Sequence, residues 1–229
     1  MSRVIFTGRF GSGKTEVAVN FALHLVQRAR DARASSPHTT LIDLDIVTPY
    51  FRSREVAEML QAKGVHVATP AAVSRHLDVP GITPQILGLL QSDASTVILD
   101  VGGDEQGARA LGQYSSLLRQ RGYAMYFVVN PYRPFTGDTE GIRNAIADIE
   151  RSSRLLVTGL VSNPHIMADT TPDDLVSGQR IVERASRQLS LPIIFTAIER
   201  GLAPAVESLW PAEMPVLPIE RFFEQPWMA

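Results

Sequence analysis

Residues 8–15 read GRFGSGKT, a complete G-x-x-x-x-G-K-T phosphate loop. The apolar run Val4-Ile5-Phe6 leads straight into it, and the helical pattern Val17, Ala18, Phe21, Ala22, Leu25 follows at once. This strand, loop and helix context gives the pattern a physical meaning. Backbone N–H groups of Gly8, Gly11, Ser12 and Gly13, and of the first helical turn from Lys14 through Thr15 to Glu16, surround a nucleotide β-phosphate. Lys14 supplies mobile positive charge and the Thr15 hydroxyl a ligand for Mg²⁺. An ordinary glycine-rich turn would account for the glycines, but not for Lys14 and Thr15 at these offsets.

Outward from the loop, strand-length apolar runs alternate with helical patterns. A helix is expected over 13–33, strands at 40–43, 65–68, 96–100, 125–130, 155–161 and 191–196, and helices at 53–62, 106–121, 139–151 and 172–188. Pro70, Pro80 and Pro84 break the stretch after 68 into loop and helix pieces, and Pro215 and Pro218 confine 214–219 to a sheet edge. Strands apolar on both faces and joined by helices imply an α/β fold, with a mostly parallel central sheet in a three-layer arrangement. At 229 residues and 45% hydrophobic, residues 1–229 are read as a single nucleotide-binding domain.

Composition narrows the function classes. The net charge of −2 gives no general attraction to nucleic acid, and Arg28, Arg30 and Arg33 read as the solvated end of the first helix. With no cysteine, disulfides, thiolate zinc sites, cysteine nucleophiles and cysteine-ligated iron–sulfur clusters drop out together. No signal-like N-terminal region and no run of transmembrane length is present, so a cytoplasmic location is expected. Phe222, Phe223 and Trp227 read as packing onto the core, since Glu220 and Glu224 beside them do not suit a membrane anchor.

Acidic residues stand where a parallel sheet presents its ligands. In LIDLDIVTPYFRSRE, from Leu41 to Glu55, Asp43 and Asp45 share a strand face and would support Mg²⁺ or orient an attacking water. VILDVGGD ends a strand at Asp100, a Mg²⁺ ligand directly or through water, with Gly103 offering an N–H to a γ-phosphate oxygen. Asn163 either reads a purine edge with its amide or begins an ordinary Asn-Pro turn. It is followed by Pro164, His165 and Ile166, so the N-K-x-D guanine signature is absent, which favours ATP. Arg52, Arg54, His76 and Arg133 lie in loops expected at the ligand end, as contacts for an acidic substrate or partner or as solvated side chains.

Through GRFGSGKT, LIDLDIVTPYFRSRE, VILDVGGD, VVNPYRPFTGDTEGI and GLVSNPH the chain resembles the MinD/ParA and nitrogenase-iron-protein group of P-loop ATPases. The resemblance implies an ATP-dependent homodimer whose nucleotide state is read by a protein partner. It also implies roles: Asp45 orients water, Asp43 supports the metal, Asp100 is the Walker B-like acid and Asn163 meets the base. The group's signature K-G-G-x-G-K-T has Arg9 and Phe10 in place of its first Lys-Gly. Arg9 either reaches a partner's phosphate or stands in solvent. The function expected is a Mg²⁺-dependent ATPase acting as a switch for a partner protein or for cofactor or metalloenzyme maturation. A small-molecule kinase or amidoligase, and an ATP-binding structural protein, are the alternatives.

Overall fold

The computed structural model describes residues 2–33, 38–44, 54–68, 83–206, 210 and 214–223. In chain order the elements are β1 (Arg3–Thr7), α1 (Lys14–Asp31), β2 (His38–Asp43), α2 (Arg54–Ala62), β3 (Val65–Ala68), α3 (Pro84–Gln91), β4 (Ser95–Asp100), α4 (Glu105–Gly112) and α5 (Ser115–Arg121). They continue with β5 (Ala124–Val129), α6 (Thr139–Ser153), β6 (Gly159–Ser162), α7 (Pro172–Leu189), β7 (Ile193–Glu199), α8 (Ala203–Val206) and β8 (Val216–Ile219). Local chemistry sets the helix starts. Asp104 and Asp138 accept the N–H groups of Gly107 and Gly141, and Thr171 forms a capping box with Asp174 ahead of Pro172 at the first helical position.

The strands make one parallel sheet in the order β3-β2-β4-β1-β5-β6-β7-β8. Side-chain alternation divides the core between its faces. Ile5, Val97, Leu99, Met125, Phe127 and Val129 pack on one side with Ile142, Ile146 and Val182 of α6 and α7, while Val4, Phe6, Ile98 and Val128 pack on the other with Val17, Ala18 and Ala22 of α1. Phe21 of α1 stacks on Phe195 of β7 and meets Phe6 edge-on, which seats the helix over the sheet. The expected three-layer α/β architecture is observed, with β8 at a sheet edge, the position that Pro218 allows.

Two elements differ from expectation. The helix expected over 106–121 is two, α4 and α5, because the chain turns at Gln113 and Tyr114, whose N–H groups bond back to Ala110 and Leu111 while the Tyr114 ring is buried. The strand expected from 155 begins only at Gly159. Ahead of it the Leu156 N–H is taken by the Tyr123 hydroxyl and the Val157 N–H by the Glu150 carboxylate, so these residues leave the ladder and Leu156 faces solvent. Among the described residues no helix is long and apolar enough to cross a membrane. Phe222 and Phe223 pack against the α1 side of the core; Trp227 lies outside the described residues.

Candidate functional site

The parallel order puts the C-terminal ends of β1, β4, β5 and β6 in one row, and the loops leaving them share one edge of the sheet. The loop between β1 and α1 turns on the Ser12 N–H to Arg9 carbonyl bond and reaches α1 through Gly13, which is left-handed at φ 79°. Only glycine takes that conformation without strain, and a Cβ there would also run into the Asn163 amide. Asn163, buried at the end of β6, donates its Nδ2 to the Ser12 carbonyl at 2.7 Å. One amide donor of this residue therefore braces the phosphate loop.

Gly103 lies against the other flank of the loop, where a Cβ would collide with the Gly8 carbonyl. The loop after β4 thus touches the first residue of the glycine-rich turn. Arg133, in the loop after β5, donates Nε to the Gly11 carbonyl at 3.2 Å, bringing a guanidinium onto the phosphate loop. Its neighbour Asn130 is a turn residue: it accepts the Tyr132 N–H on its side chain and the Thr136 hydroxyl on its carbonyl.

The acidic strand ends converge as well. Asp43 on β2 and Asp100 on β4 are paired in register, and both are buried. Thr15 Oγ1 donates to Asp100 Oδ2 at 2.6 Å, within the charge-assisted range. A magnesium ion takes few protein ligands and completes its shell with water and phosphate oxygens, so this hydroxyl and carboxylate fit it without a denser cluster. Among the described residues no group of three or more carboxylate or histidine side chains offers an all-protein metal site. Asp45, Arg52 and His76 lie outside the described residues, as does the side chain of Arg54. Arg9 turns back within the chain, pairing with Asp148 of α6 at 3.0 Å.

Beside the phosphate loop opens a cavity of about 1020 Å³, counting its mouth, which runs from Ser12, Lys14 and Glu16 to Asn163, Glu199 and Phe223. Lys14 and Thr15 are nearly buried at its inner end. Burial pushes the Glu16 carboxyl up to about 7, against the N–H groups of Phe223 and Phe222 and the charge of Arg221, which favour the anion. Burial, helped by the charges of Arg133 and Arg221, pulls the His165 imidazole down to about 4 and keeps it neutral at pH 7. Among the described residues Ser12 Oγ, Glu16 Oε2 and His165 Nε2 have no hydrogen-bond partner, and all three residues border this cavity. Sequence reasoning misses His165 as a wall of the site, Glu16 as a contact of the C-terminal segment, and Glu199, Arg221 and Phe223 as residues of the site. The sole sequence signal for them is the position of Glu199 at a strand end.

No protein-family model matches this chain, and no curated protein matches it. Among solved structures it is similar to FtsY from Elizabethkingia anophelis, a signal recognition particle receptor in complex with GDP, at 17% identity over 86% of this chain and 58% of that one, with a TM-score of 0.52. It is also similar to the cell division protein FtsY from Thermotoga maritima, at 18% identity over 86% and 62% of the two chains (TM-score 0.51), and to chloroplast FtsY from Physcomitrella patens, at 14% over 92% and 65% (TM-score 0.50). The chain spans about three fifths of the length of the first of these relatives.

These relatives correct several expectations. The likeness reported is to FtsY, a P-loop fold related to but distinct from that of the MinD/ParA ATPases, and the nucleotide in the Elizabethkingia anophelis protein is GDP. ATP as the nucleotide, an ATPase activity and the ATP-binding and MinD/ParA labels are therefore replaced. The Elizabethkingia anophelis FtsY is a signal recognition particle receptor, which speaks against the ATP-dependent homodimer expected from the sequence. Absence of N-K-x-D is a weak guide because it tests one way of reading guanine and says nothing of others. The architecture is the three-layer P-loop NTPase fold in the form seen in the FtsY structures.

Proposed function

We propose that this protein is a guanine-nucleotide switch: it binds and hydrolyses GTP, and its nucleotide state is read by a protein partner. The observation that carries the reading is the 2.6 Å bond from Thr15 to Asp100, which joins the phosphate loop to the acidic end of β4 beside nearly buried Lys14. The GDP of the Elizabethkingia anophelis relative supports the choice of base. In this reading the loop N–H groups from Gly8 to Glu16 bind the phosphates, and Lys14 and Arg133 neutralise their charge. Thr15 and Asp100 would hold Mg²⁺, with Asp43 supporting it, and the ion would supply neutralisation of phosphate charge. Asp45 orients the attacking water, and the Gly103 N–H meets the γ-phosphate. Asn163 braces the loop and stands between it and the base.

A switch requires the loops after β2 and β4 to follow the γ-phosphate. Contact between Gly103 and Gly8 supports this, because a ligand in the loop acts directly on the segment after Asp100. Phe10 and Phe135, 65% and 77% exposed, are large apolar side chains on the loops bordering the site and suit contact with a protein.

Calorimetric titration with GDP, a non-hydrolysable GTP analogue and ADP, each with Mg²⁺, tests the proposal. The expected result is micromolar or tighter binding of the guanine nucleotides, at least tenfold weaker ADP, and loss of binding in Lys14→Ala. No guanine-nucleotide binding, or binding undiminished in Lys14→Ala, would overturn it.

A further inference from the structure

The main chain beyond β8 is held by side chains of the phosphate-loop helix. Asn20, 6% exposed, spends both ends of its amide on one residue: Nδ2 donates to the Glu220 carbonyl at 2.8 Å, and Oδ1 accepts the Glu220 N–H at 2.8 Å. Its Nδ2 also donates to the Glu16 carbonyl at 2.8 Å, which fixes the side chain on α1. One turn earlier, Glu16 Oε1 accepts the N–H groups of Phe222 and Phe223 at 2.9 and 2.8 Å. Between these anchors Arg221 reaches across to Glu199 at the end of β7, with Nε at 3.1 Å and Nη2 at 2.6 Å from one carboxylate oxygen.

Residues 220–223 belong to no strand, so these side chains replace the hydrogen bonds a sheet would supply. Ile219, Arg221 and Phe223 also stand in the wall of the cavity that opens beside Lys14 and Thr15. The cavity's inner end suits phosphates, and this wall faces the space left for the rest of the ligand. Each hydrogen bond contributes modestly in net terms and each ordered residue costs a comparable amount, so docking of the four-residue segment rests on these bonds together with the packing of Phe222 and Phe223. A ligand resting on the segment shifts the docking equilibrium, and the segment in turn shifts the affinity for the ligand.

We propose that Asn20 is a positioning residue of the nucleotide site: by holding residues 220–223 on α1 it builds the wall against which the nucleoside rests, so that nucleoside binding and docking of this segment reinforce each other. The inference rests on the nucleotide reading of the cavity given above. Asn20 itself does not line the cavity.

The test compares GDP with inorganic pyrophosphate, which fills the phosphate loop and leaves the wall untouched. In full-length Asn20→Ala, GDP affinity is expected to fall about tenfold while pyrophosphate affinity stays within about twofold of the original. Hydrogen exchange at the amides of 220, 222 and 223 should be slowed by GDP but not by pyrophosphate in the unmodified protein, and should be fast in the variant. Equal losses for both ligands, or unchanged GDP affinity, overturn the proposal. Should Asn20→Ala fail to fold, removal of residues 220–229 leaves Asn20 in place and is expected to give the same split, with equal losses or none again overturning it. If the unmodified protein binds pyrophosphate but not GDP, the nucleotide reading itself falls and takes this inference with it. GDP binding with no split in either variant refutes the positioning role alone.

Discussion

Thr15 and Asp100 are 85 residues apart in the chain, and the hydroxyl of one donates to the carboxylate of the other at 2.6 Å. The bond brings together the hydroxyl and the carboxylate that would hold Mg²⁺ in the proposed function. Thr15→Ala is expected to lower the apparent Mg²⁺ affinity of GTP turnover by ~10–100-fold while leaving the fold intact. A Mg²⁺ titration of hydrolysis checks this, and an unchanged midpoint would remove Thr15 from the metal site.

Gly13 enters α1 with a left-handed backbone, and any Cβ there meets the Asn163 amide. Gly13→Ala should therefore cost about 1–2 kcal/mol for the backbone alone and loosen the bond from Asn163 to Ser12. Chemical denaturation gives the stability, and GDP titration should show weaker binding in the same variant. A fully stable Gly13→Ala with native affinity would contradict the geometry.

Glu16 and His165 carry opposite pH signatures. An unfolded glutamate titrates near 4.5 and the folded Glu16 at about 7, so between these values the folded chain keeps a proton that the unfolded chain releases. Its contribution to stability therefore falls as pH rises through that window. His165 titrates near 6.5 unfolded and at about 4 folded, so the unfolded chain takes up the proton first, and this contribution is lost as pH falls from 6.5 toward 4. The melting temperature of Glu16→Gln relative to the original should climb from pH 4.5 to 7 and then level off, and that of His165→Phe should climb as pH drops from 6.5 to 4. Differences that do not vary with pH would rule out these titrations.

At the opposite end of β1, Arg3 is buried and donates to the carbonyls of Leu90 and Ser92 at 2.6 and 3.1 Å and to Asp93 at 2.9 Å. Arg3→Met leaves those carbonyls without their donor and should cost about 2–4 kcal/mol in urea unfolding. GDP affinity of the folded variant should be unaltered, because the site lies at the other end of the strand. A large loss of affinity would show that the two ends are coupled.

The parts of the site that the chain spells locally are legible in its sequence. GRFGSGKT needs only eight consecutive residues, and Asp43 and Asp100 are marked by the apolar strands that precede them. What escapes such reading depends on side chains that find distant backbone: Glu16 on Phe222 and Phe223, Arg133 on Gly11, Asn163 on Ser12. No periodicity announces such pairs, since each is set by which loops the strand order brings together. The false strand start at 155 has the same origin, because Leu155 and Leu156 have strand composition while the Tyr123 hydroxyl competes for a ladder N–H. A missing motif misleads on base preference because the far end of the cavity is built from residues near 165, 199 and 221, which no contiguous signature joins.

The bonds from Asn20 to Glu220 close a loop of 200 residues. During synthesis the phosphate loop leaves the ribosome long before the segment that completes its pocket, an interval on the order of ten seconds or more at ordinary elongation rates. The strands that flank β1 and the side chains that brace the loop arrive within that interval, and the segment at 220–223 comes after all of them. On the proposed role of this segment, high-affinity capture of a nucleoside would wait until β8 has joined the sheet, and ligand retention would report that the whole sheet has been assembled.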